Sequence, residues 1–337
     1  MRAAWYRQTG PASDVLETGS LPDDTAGPPG PGEVRVRIRA SGINPADVKR
    51  RAGWGGLAME HDCVVPHADG AGIVEAVGED VSSSWQGQRV WMRNAQGGYG
   101  EAGRAFGTAA EYVSLPVAQV FALPEPLGFA QGACLGIPAL TAYAAVFGDG
   151  PVTGNTVLVT GAAGAVGHFA AQFAHAGGAR VIATVSSEEK AAHVRAVGVD
   201  DILFRHDEDI AARVMEMTGN DGVDRIVEVD FGANLGITRQ IIRPHSVIAA
   251  YSSTAEPNPV LPYYDFAFRG ATLRFIQGFL LTPRILEAAV AFIARLAGDG
   301  QLTVALARQL PLERIAEAHE LVESGNAIGN VVLEIPN

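Results

Sequence analysis

Hydrophobic and polar positions alternate along several short stretches of the first third of the chain. In Glu33–Ala40, Val, Ile and Ala alternate with Glu and Arg. A period of two predicts a half-buried β-strand. Gly70–Gly78 and Gln88–Met92 are predicted as further strands, and the Gly- and Pro-rich segments 21–32 and 94–107 as exposed loops. The first 125 residues are therefore expected to be mostly β.

From Pro126 onward the pattern changes, because short apolar strands alternate with helical stretches. The predicted strands are Thr156–Thr160, Arg180–Thr184, Asp201–Phe204, Arg225–Val229, Val247–Tyr251 and Thr272–Phe279. Such alternation predicts a parallel sheet with helices on both faces. Helices are expected over Phe129–Val146, with a break at Pro138, and over Phe169–His175. A long helix is expected over Pro283–Leu296, and the tail ends in a strand, Asn330–Ile335.

The strand that begins at Thr156 leads into a turn of small residues, Gly161-Ala-Ala-Gly-Ala-Val-Gly167. A strand, glycine turn, helix and second strand in this order form the unit that binds dinucleotide pyrophosphate. Small residues let backbone N–H groups approach phosphate, and the helix start adds free donors. The candidate contacts are Gly161, Ala163, Gly164, Ala165, Val166 and Gly167. The spacing GxxGxxG departs from the commoner GxGxxG.

Composition excludes several classes of protein. At 337 residues and 47% hydrophobic content the chain suggests two globular domains. Its net charge of −12 argues against nucleic acid and anionic membranes as partners. No apolar stretch is long enough for a transmembrane helix, and the first residues lack a signal-peptide pattern. Cys63 and Cys134 are expected to be reduced, so a cytoplasmic location is predicted.

Motifs spread along the chain resemble one family, the zinc-free quinone oxidoreductase (zeta-crystallin-like) branch of the medium-chain dehydrogenase/reductase superfamily. Besides the glycine turn, they are Gly42-Ile-Asn-Pro-Ala-Asp47, Asp69–Gly78, Ala110-Glu-Tyr-Val113, Gly136–Tyr143 and Pro311–His319. They occur in family order over nearly the whole chain, and jointly they are specific although each alone is weak.

The resemblance implies an α/β architecture of two domains. Residues 1–125 and 303–337 would form a GroES-like β domain, and residues 126–302 a Rossmann doubly wound parallel-sheet domain that binds NADPH. The nicotinamide would point at a small-molecule substrate in the cleft between the domains. Family members are usually homodimers or homotetramers joined by edge strands, here Thr272–Phe279, although this strand could equally be an internal one.

The second predicted strand of the Rossmann domain indicates NADPH rather than NADH. It ends without the acid that usually binds the NAD ribose, and Ser186 and Ser187 follow it. With Lys190, and with Arg205 at the position where relatives place a Tyr or His, these residues could bind the adenosine phosphate. Ser186 and Ser187 also suit a helix N-cap, and Lys190 could be plain surface.

Zinc-dependent relatives place a catalytic cysteine where this chain has Asn44, and two cysteines cannot form their four-cysteine structural site. An amide binds zinc poorly but suits a cofactor or carbonyl, so Asn44 is a candidate in both the catalytic and the cofactor-binding sets. It could also be a turn residue before Pro45. His61 and His67 are scattered, so no metal site is predicted; His67 stands where relatives usually have glycine.

Further contacts with the cofactor and the substrate are expected. The residues among them that could instead be packing residues are Tyr143, Trp54, Tyr99, Tyr251, Tyr264 and Phe279. Tyr143 is a candidate catalytic residue, and Thr141 a cofactor contact. Tyr251, Ser252, Phe279, Leu280 and Asn330 are further cofactor candidates, and Trp54, Tyr99 and Tyr264 are substrate candidates.

The function expected is an NADPH-dependent quinone oxidoreductase that transfers hydride without zinc. The alternatives are a reductase of α,β-unsaturated carbonyls and a non-catalytic NADPH-binding protein.

Overall fold

The computed structural model describes residues 1–22, 25–97 and 103–336, which form two compact units. The first comprises Met1–Pro138 and Val290–Asn337, and the second comprises Ala139–Ala289. The sequence placed these boundaries after residues 125 and 302. No helix in the described part of the chain is both long and apolar enough to cross a membrane.

The first unit is built on β-strands. Its strands are β1 (Arg2–Trp5), β2 (Glu17–Ser20), β3 (Glu33–Ile43), β4 (Asp69–Val77), β5 (Arg89–Met92), β6 (Tyr112–Pro116), β7 (Val120–Ala122), β14 (Leu306–Pro311) and β15 (Asn330–Glu334). Its helices are α1 (Ala12–Val15), α2 (Pro45–Ala52), α3 (Phe129–Gly132) and α11 (Ile315–Glu323), and short 3-10 turns lie at Trp54–Gly56, Ser83–Trp85, Val117–Gln119 and Leu312–Arg314.

Strands β1 and β2 form a two-stranded sheet, and the other strands form a sheet with the order β14-β15-β3-β4-β5-β7, in which β6 also pairs with β3. The long strand β3 is central because its alternating pattern buries Val34, Val36 and Ile38 in the core of this unit, while Arg35 and Arg37 stay half-buried. The tail strand β15 pairs antiparallel with β3, so two segments far apart in the sequence lie side by side in this sheet. The strand predictions for this region are confirmed to within a few residues.

A π-helical turn, Leu135–Ala139, connects the two units. Pro138 lies inside it, and Gly136 has non-helical dihedral angles. The sequence predicted mostly helix from Phe129 to Val146 with a break at Pro138. The structure instead has α3, this turn and then α4 (Leu140–Phe147). Turns of this kind occur often at functional sites.

The second unit alternates strands and helices. Its strands are β8 (Thr156–Val159), β9 (Arg180–Val185), β10 (Asp201–Phe204), β11 (Val223–Glu228), β12 (Ile242–Ala250) and β13 (Thr272–Phe275). Besides α4, its helices are α5 (Ala165–Ala176), α6 (Glu188–Arg195), α7 (Ile210–Met217), α8 (Phe231–Ile241) and α9 (Tyr263–Ala267), with a 3-10 turn at Gly278–Leu280; α10 (Pro283–Gly298) contains the second boundary.

The six strands of this unit are parallel, in the order β10-β9-β8-β11-β12-β13. This is the doubly wound order in which ligands bind at the carboxyl ends of the strands, where the order reverses beside the first strand. The predicted Rossmann fold is confirmed. The predicted strand Thr272–Phe279 is too long, because only Thr272–Phe275 is strand and a 3-10 turn follows at Gly278.

Candidate active site

The glycine turn lies at the carboxyl end of β8, the first strand of the parallel sheet. Gly161 has a φ of +62°, a conformation that favours glycine. Its N–H donates to Thr184 Oγ1 on β9 at 3.2 Å. Helix α5 begins directly after Gly164, which has no side chain with which to cap the first N–H groups. These groups are the donors that a phosphate at a helix N-terminus needs.

Gly167 shows how tightly the turn packs against the helix. A Cβ on Gly167 would lie 2.3 Å from the Gly161 carbonyl oxygen, whereas a Cβ on Gly164 would lie 3.4 Å from the same oxygen. The missing side chain at 167 thus lets the helix pack directly against the turn, whereas a Cβ at 164 would make only an ordinary contact. A turn with this shape fits the pyrophosphate of a dinucleotide.

The residues predicted to bind an adenosine phosphate lie together at the neighbouring strand ends. Lys190 Nζ donates to Ser186 Oγ at 3.0 Å, immediately after β9. Arg205 follows β10, and its N–H donates to the Val185 carbonyl at 3.0 Å, so it lies beside the end of β9. The Arg205 side chain is exposed. Ser187 Oγ accepts from the Lys190 N–H at 3.3 Å and caps α6.

A buried carboxylate, Glu228, lies at the end of β11 and holds this edge of the sheet together. Its Oε1 accepts from Thr160 Oγ1 at 3.0 Å, from the Asp230 N–H at 2.6 Å and from Asn234 Nδ2 at 2.7 Å. Its Oε2 has no hydrogen-bond partner among the described residues. Burial raises the pKa of Glu228, against the lowering effect of these donors. Glu228 therefore connects the glycine turn to the start of α8.

The predicted nicotinamide-side residues of the second unit follow the next strands. The N–H of Tyr251, just after β12, donates to the Glu228 carbonyl at 3.0 Å, and the Ser252 carbonyl accepts from the Phe231 N–H at 3.0 Å. Burial raises the pKa of Tyr251, and the nearby Glu228 adds to this effect. In the turn after β13, Phe279 is buried and Leu280 is largely exposed.

Thr141 and Tyr143 lie on α4. Thr141 is buried, and its Oγ1 has no hydrogen-bond partner within the described chain. A buried hydroxyl without a partner is unusual and agrees with a ligand contact. Tyr143 is half-buried, and its ring lies 5.0 Å from that of Phe147. Burial raises the pKa of Tyr143, while Arg284 lowers it.

In the first unit, Asn44 caps helix α2 and lies between two buried carboxyl groups. Its N–H donates to Asp47 Oδ2 at 2.8 Å, and its Nδ2 donates to Asp69 Oδ2 at 2.8 Å. The Ala68 N–H also donates to Asp47, at 3.1 Å, and the Ile137 N–H to Asp69 Oδ2, at 2.7 Å. Asn44 is thus fixed at both its backbone and its amide.

Burial dominates the electrostatics of these two acids. It raises the pKa of Asp47 to about 6, although the Asn44 N–H acts in the opposite direction. Burial and the charge of Asp47 raise the pKa of Asp69 to about 8, while Asn44, the Ile137 N–H and Arg93 lower it. Two carboxyl groups in one buried cluster do not ionise together readily.

His67 belongs to a buried chain of polar groups rather than to a metal site. It has a φ of +83°, its Nδ1 lies 2.8 Å from Ser41 Oγ, and its Nε2 lies 2.9 Å from His319 Nε2. Thr108 continues the chain from Ser41 and donates to the Asp69 carbonyl at 2.5 Å. Burial lowers the pKa of His67 to about 3, so both rings are neutral near pH 7.

The residues considered for a metal do not meet. His61 Nε2 lies 2.6 Å from the Gly103 carbonyl, and His67 is engaged with Ser41 and His319. Within residues 1–22, 25–97 and 103–336, no three His, Cys, Asp or Glu side chains are arranged to hold a metal ion.

Of the remaining predicted contacts, Trp54 and Asn330 belong to the first unit. Trp54 is about half exposed, and Lys49 Nζ lies 4.6 Å above its ring. Asn330 is buried at the start of β15, and its Nδ2 donates to the Ala305 carbonyl at 3.0 Å. Tyr99 lies outside the described residues.

Tyr264 is the predicted substrate contact that belongs to the second unit. It is on α9, next to Asp265, which pairs with Arg239 in the last turn of α8 at 3.1 Å. Helix α8 ends just before β12 and α9 ends just before β13, so this pair lies at the amino edge of the sheet, whereas the glycine turn is at the carboxyl edge. Tyr264 lines an open cavity of about 820 Å³ together with residues of α7 and α8.

Sequence reasoning missed the buried acids of both units. Asp47 stands three residues after Asn44, which is the capping-box spacing, so a signal for it was present. Asp69 begins β4 and Glu228 ends β11, but nothing local in the sequence shows that either one is buried or what it contacts.

Comparisons with known proteins agree with this architecture. A family model described as alcohol dehydrogenase GroES-like domain matches residues 30–125, and one described as zinc-binding dehydrogenase matches residues 165–295. A quinone oxidoreductase of Sus scrofa is 31% identical over 326 residues, which cover 94% of this chain and 94% of that protein. A 2-haloacrylate reductase of Burkholderia sp is 28% identical over 341 residues, 99% of this chain and 98% of that protein.

Solved structures with the same fold cover the full chain. A structure described as an NAD-dependent alcohol dehydrogenase is 30% identical, with a TM-score of 0.87 and complete coverage of both chains. A mycobacterial protein complexed with NADPH is 26% identical, with a TM-score of 0.85 and coverage of 99% of this chain and 100% of that chain.

Proposed function

We propose that this protein transfers hydride from NADPH to a quinone without zinc. The chain belongs to the quinone oxidoreductase branch of the medium-chain dehydrogenase/reductase superfamily and is an oxidoreductase. The observation that carries the proposal is the edge of the parallel sheet where the glycine turn, Ser186, Lys190 and Arg205 lie side by side. A site that combines a phosphate-binding turn with nearby cations is suited to a phosphorylated dinucleotide.

The residues of this edge fit NADPH. The small residues Gly161 to Gly167 would hold the pyrophosphate through backbone N–H groups, because a side chain at 167 would displace the turn. Ser186, Lys190 and Arg205 would hold the adenosine phosphate, and Ser187 would keep α6 in place through its cap. Similarity to the mycobacterial protein complexed with NADPH supports this choice over NADH, although the NAD-dependent relative has the same fold.

When bound, NADPH supplies a hydride from its nicotinamide ring. We assign Tyr251, Ser252, Phe279 and Leu280 to the nicotinamide end, with Thr141 contacting the cofactor through its unpartnered hydroxyl. Asn44 contributes a fixed amide to the cofactor or to the carbonyl of the substrate. Tyr143 is the candidate hydroxyl for the substrate side, and Trp54 the candidate apolar contact.

The substrate class follows from the side chains available for activation. Asn44 stands where zinc-dependent relatives have a cysteine, and an amide is a poor zinc ligand. A quinone accepts hydride without a Lewis acid, whereas an unactivated ketone needs stronger polarisation. Orientation and hydrogen bonds would therefore be sufficient for a quinone.

A second candidate substrate is an α,β-unsaturated carbonyl compound, which is also activated toward hydride. Similarity to the 2-haloacrylate reductase over nearly the whole chain favours this alternative. Both candidates use the same cofactor and the same zinc-free site, so only the acceptor differs.

The test is NADPH oxidation in the presence of a chelator, first with a panel of quinones and then with enones and haloacrylate. Turnover of a quinone that exceeds turnover of every alkene supports the leading proposal, and the reverse order supports the alternative. Tight NADPH binding without turnover of either class would show instead a protein that only binds the nucleotide.

We further propose that the protein acts in the cytoplasm as a homodimer or homotetramer joined through β13. Cys63 and Cys134 are free, as expected of a reducing compartment. In the described residues β13 pairs only with β12, and Phe275 at its end is largely exposed. An exposed apolar edge strand invites pairing with a second copy.

A further inference from the structure

Asp69 is fully buried, and its two carboxyl oxygens have different surroundings. Oδ2 accepts two hydrogen bonds, from Asn44 Nδ2 at 2.8 Å and from the Ile137 N–H at 2.7 Å. Oδ1 is buried without a hydrogen-bond partner in the described chain. Because Oδ2 already accepts from two N–H groups, a proton that binds this carboxyl goes to Oδ1. Oδ2 therefore stays an acceptor whether or not Asp69 is ionised.

This arrangement determines which way the Asn44 amide points. A side-chain amide has one donor end and one acceptor end, and only the donor end can face an accepting oxygen. The opposite orientation would place Asn44 Oδ1 against Asp69 Oδ2. With Nδ2 turned toward Asp69, Asn44 Oδ1 is left on the other side of the amide as an acceptor.

The two acids of the cluster hold different parts of Asn44. Asp47 accepts from the Asn44 N–H and the Ala68 N–H, so it fixes the backbone at the start of α2. Asp69 contacts the Asn44 side chain, so it fixes the amide.

Gly136 provides the space that Asp69 occupies. A Cβ on Gly136 would lie 2.1 Å from Asp69 Oδ1 and 2.3 Å from its Cγ. Any side chain at 136 must therefore push the Asp69 carboxyl away from its present position. The glycine in the π-helical turn and the orientation of the Asn44 amide are linked through Asp69.

We propose that Asp69 is a positioning residue that presents Asn44 Oδ1 as a hydrogen-bond acceptor to a ribose hydroxyl of the bound nicotinamide nucleotide. The inference rests on the proposed function, which assigns Asn44 a cofactor contact. It goes further because it assigns the orientation of the amide, the donor class that it recognises, and the two residues, Asp69 and Gly136, that maintain it.

The test is a double-mutant cycle on the NADPH dissociation constant, measured by cofactor fluorescence. Asn44→Ala and Asp69→Ala are each expected to weaken binding about tenfold, the loss of about one hydrogen bond. If Asp69 acts through Asn44, the double variant binds about as weakly as Asn44→Ala alone. A double variant weakened about a hundredfold would show independent effects and would overturn the proposal.

Three further variants separate positioning from general stability. Asp69→Asn keeps an accepting oxygen and should bind NADPH within about threefold of the wild type. Gly136→Ala should weaken binding as Asp69→Ala does, and it also serves if Asp69→Ala does not fold. Ser41→Ala removes buried hydrogen bonds to His67 and Thr108 without touching Asn44, so it should lower the melting temperature but leave NADPH binding unchanged. Equal weakening by Ser41→Ala would show a merely structural effect.

Quinone and enone turnover of the wild type, measured in parallel, keeps the two proposals distinct. Coupling between Asn44 and Asp69 in NADPH binding, without any turnover, would contradict the proposed function but support the positioning role of Asp69. Turnover without coupling would support the proposed function and contradict the positioning role of Asp69.

Discussion

At the scale of single residues, the second unit fixes two cations at the carboxyl edge of its sheet. Lys190 is held by Ser186, and Arg205 is placed by its backbone bond to the end of β9. These two cations lie together although the net charge of the whole chain is −12. A locally positive edge on an acidic protein therefore favours a phosphorylated cofactor without favouring polyanions in general.

The first prediction concerns Arg205. Replacing Arg205 with Ala should raise the Michaelis constant for NADPH about tenfold and that for NADH less than twofold, because only NADPH carries the adenosine 2′-phosphate that a guanidinium binds. Steady-state kinetics with both cofactors measure this. The matched control is Arg180→Ala, at the amino end of β9 in an ion pair with Asp201, which should change neither constant. Equal effects of Arg205→Ala on both cofactors would remove Arg205 from the phosphate site.

The second prediction concerns the pH dependence of stability. The folded pKa of Asp69 is about 8, above the unfolded value of 3.8, so the folded state holds a proton that unfolding releases between these values. Stability from this group is present at low pH and is lost as the pH rises through about 8. Asp47, with a folded pKa of about 6, also makes the free energy of unfolding fall as the pH rises from 4 to 6. The charge of Arg93 acts in the opposite direction, because it lowers the pKa of Asp69.

Asp69→Asn should therefore lose less stability than the wild type between pH 5 and pH 9, by on the order of 1–3 kcal/mol. Urea unfolding at a series of pH values measures the difference. Asp221→Asn, which removes a carboxyl group from an exposed residue, should keep the wild-type slope. Parallel curves for wild type and Asp69→Asn would contradict the raised pKa.

At the scale of elements, the contact between the glycine turn and α5 decides whether a phosphate can be bound. The helix starts where the turn ends, and it approaches the turn closely because position 167 has no side chain. The predicted helix began at Phe169, but the structure starts it at Ala165. The small residues after Gly164 look like part of the turn in the sequence, but they form the first turn of α5 in the structure. Their N–H groups therefore lie at the helix start.

The third prediction tests this contact. Gly167→Ala should lower the free energy of unfolding by about 1–3 kcal/mol, because its Cβ meets the Gly161 carbonyl oxygen at 2.3 Å. It should also weaken NADPH binding by displacing the turn. The control is Gly236→Ala on α8, where no described atom lies within 4 Å of the added Cβ. That change should raise the free energy of unfolding by about 0.5–1 kcal/mol, because Ala has the higher helix propensity, and it should leave NADPH binding unchanged.

At the scale of the whole molecule, the exposed apolar side chains are concentrated in one part of the second unit. Val260, Tyr263, Tyr264, Phe268, Phe275 and Leu280 are each exposed by about two thirds or more. Clusters of exposed apolar residues usually mark an interaction surface. Because this segment includes the edge strand β13, it supports the proposed assembly.

The fourth prediction is that Phe275→Lys dissociates the assembly. A charge at the end of β13 would be buried without a partner when a second copy pairs there. Sedimentation velocity should show the wild type at a multiple of the 35.2 kDa chain and the variant at a smaller size. Leu306→Lys, on the edge strand β14 of the first unit, should leave the assembled size unchanged. A monomeric wild type would rule out assembly through β13.

Most elements of the fold could be predicted because their signals are local. The alternation in β3 and the strand–turn–helix order around Gly161 depend only on neighbouring residues. Predictions were less accurate where distant residues compete, as in the segment after Phe129, where a π-helical turn replaces a simple break. The Ile137 N–H in that turn donates to Asp69 Oδ2, which is 68 residues away in the sequence. No local pattern could therefore predict this hydrogen bond.

By itself the sequence predicted the two-domain α/β fold and the glycine turn, and, together with the family resemblance, it proposed residues for the expected cofactor phosphate. These features follow from hydrophobic period, small-residue spacing and residue type. Only the tertiary structure decided that Asp69 and Glu228 are buried acids, that Asn44 is held between two carboxyl groups, and that Tyr264 lies at the amino edge of its sheet. Burial and the orientation of an amide depend on what other parts of the chain bring into contact, so they exist only once the chain is folded.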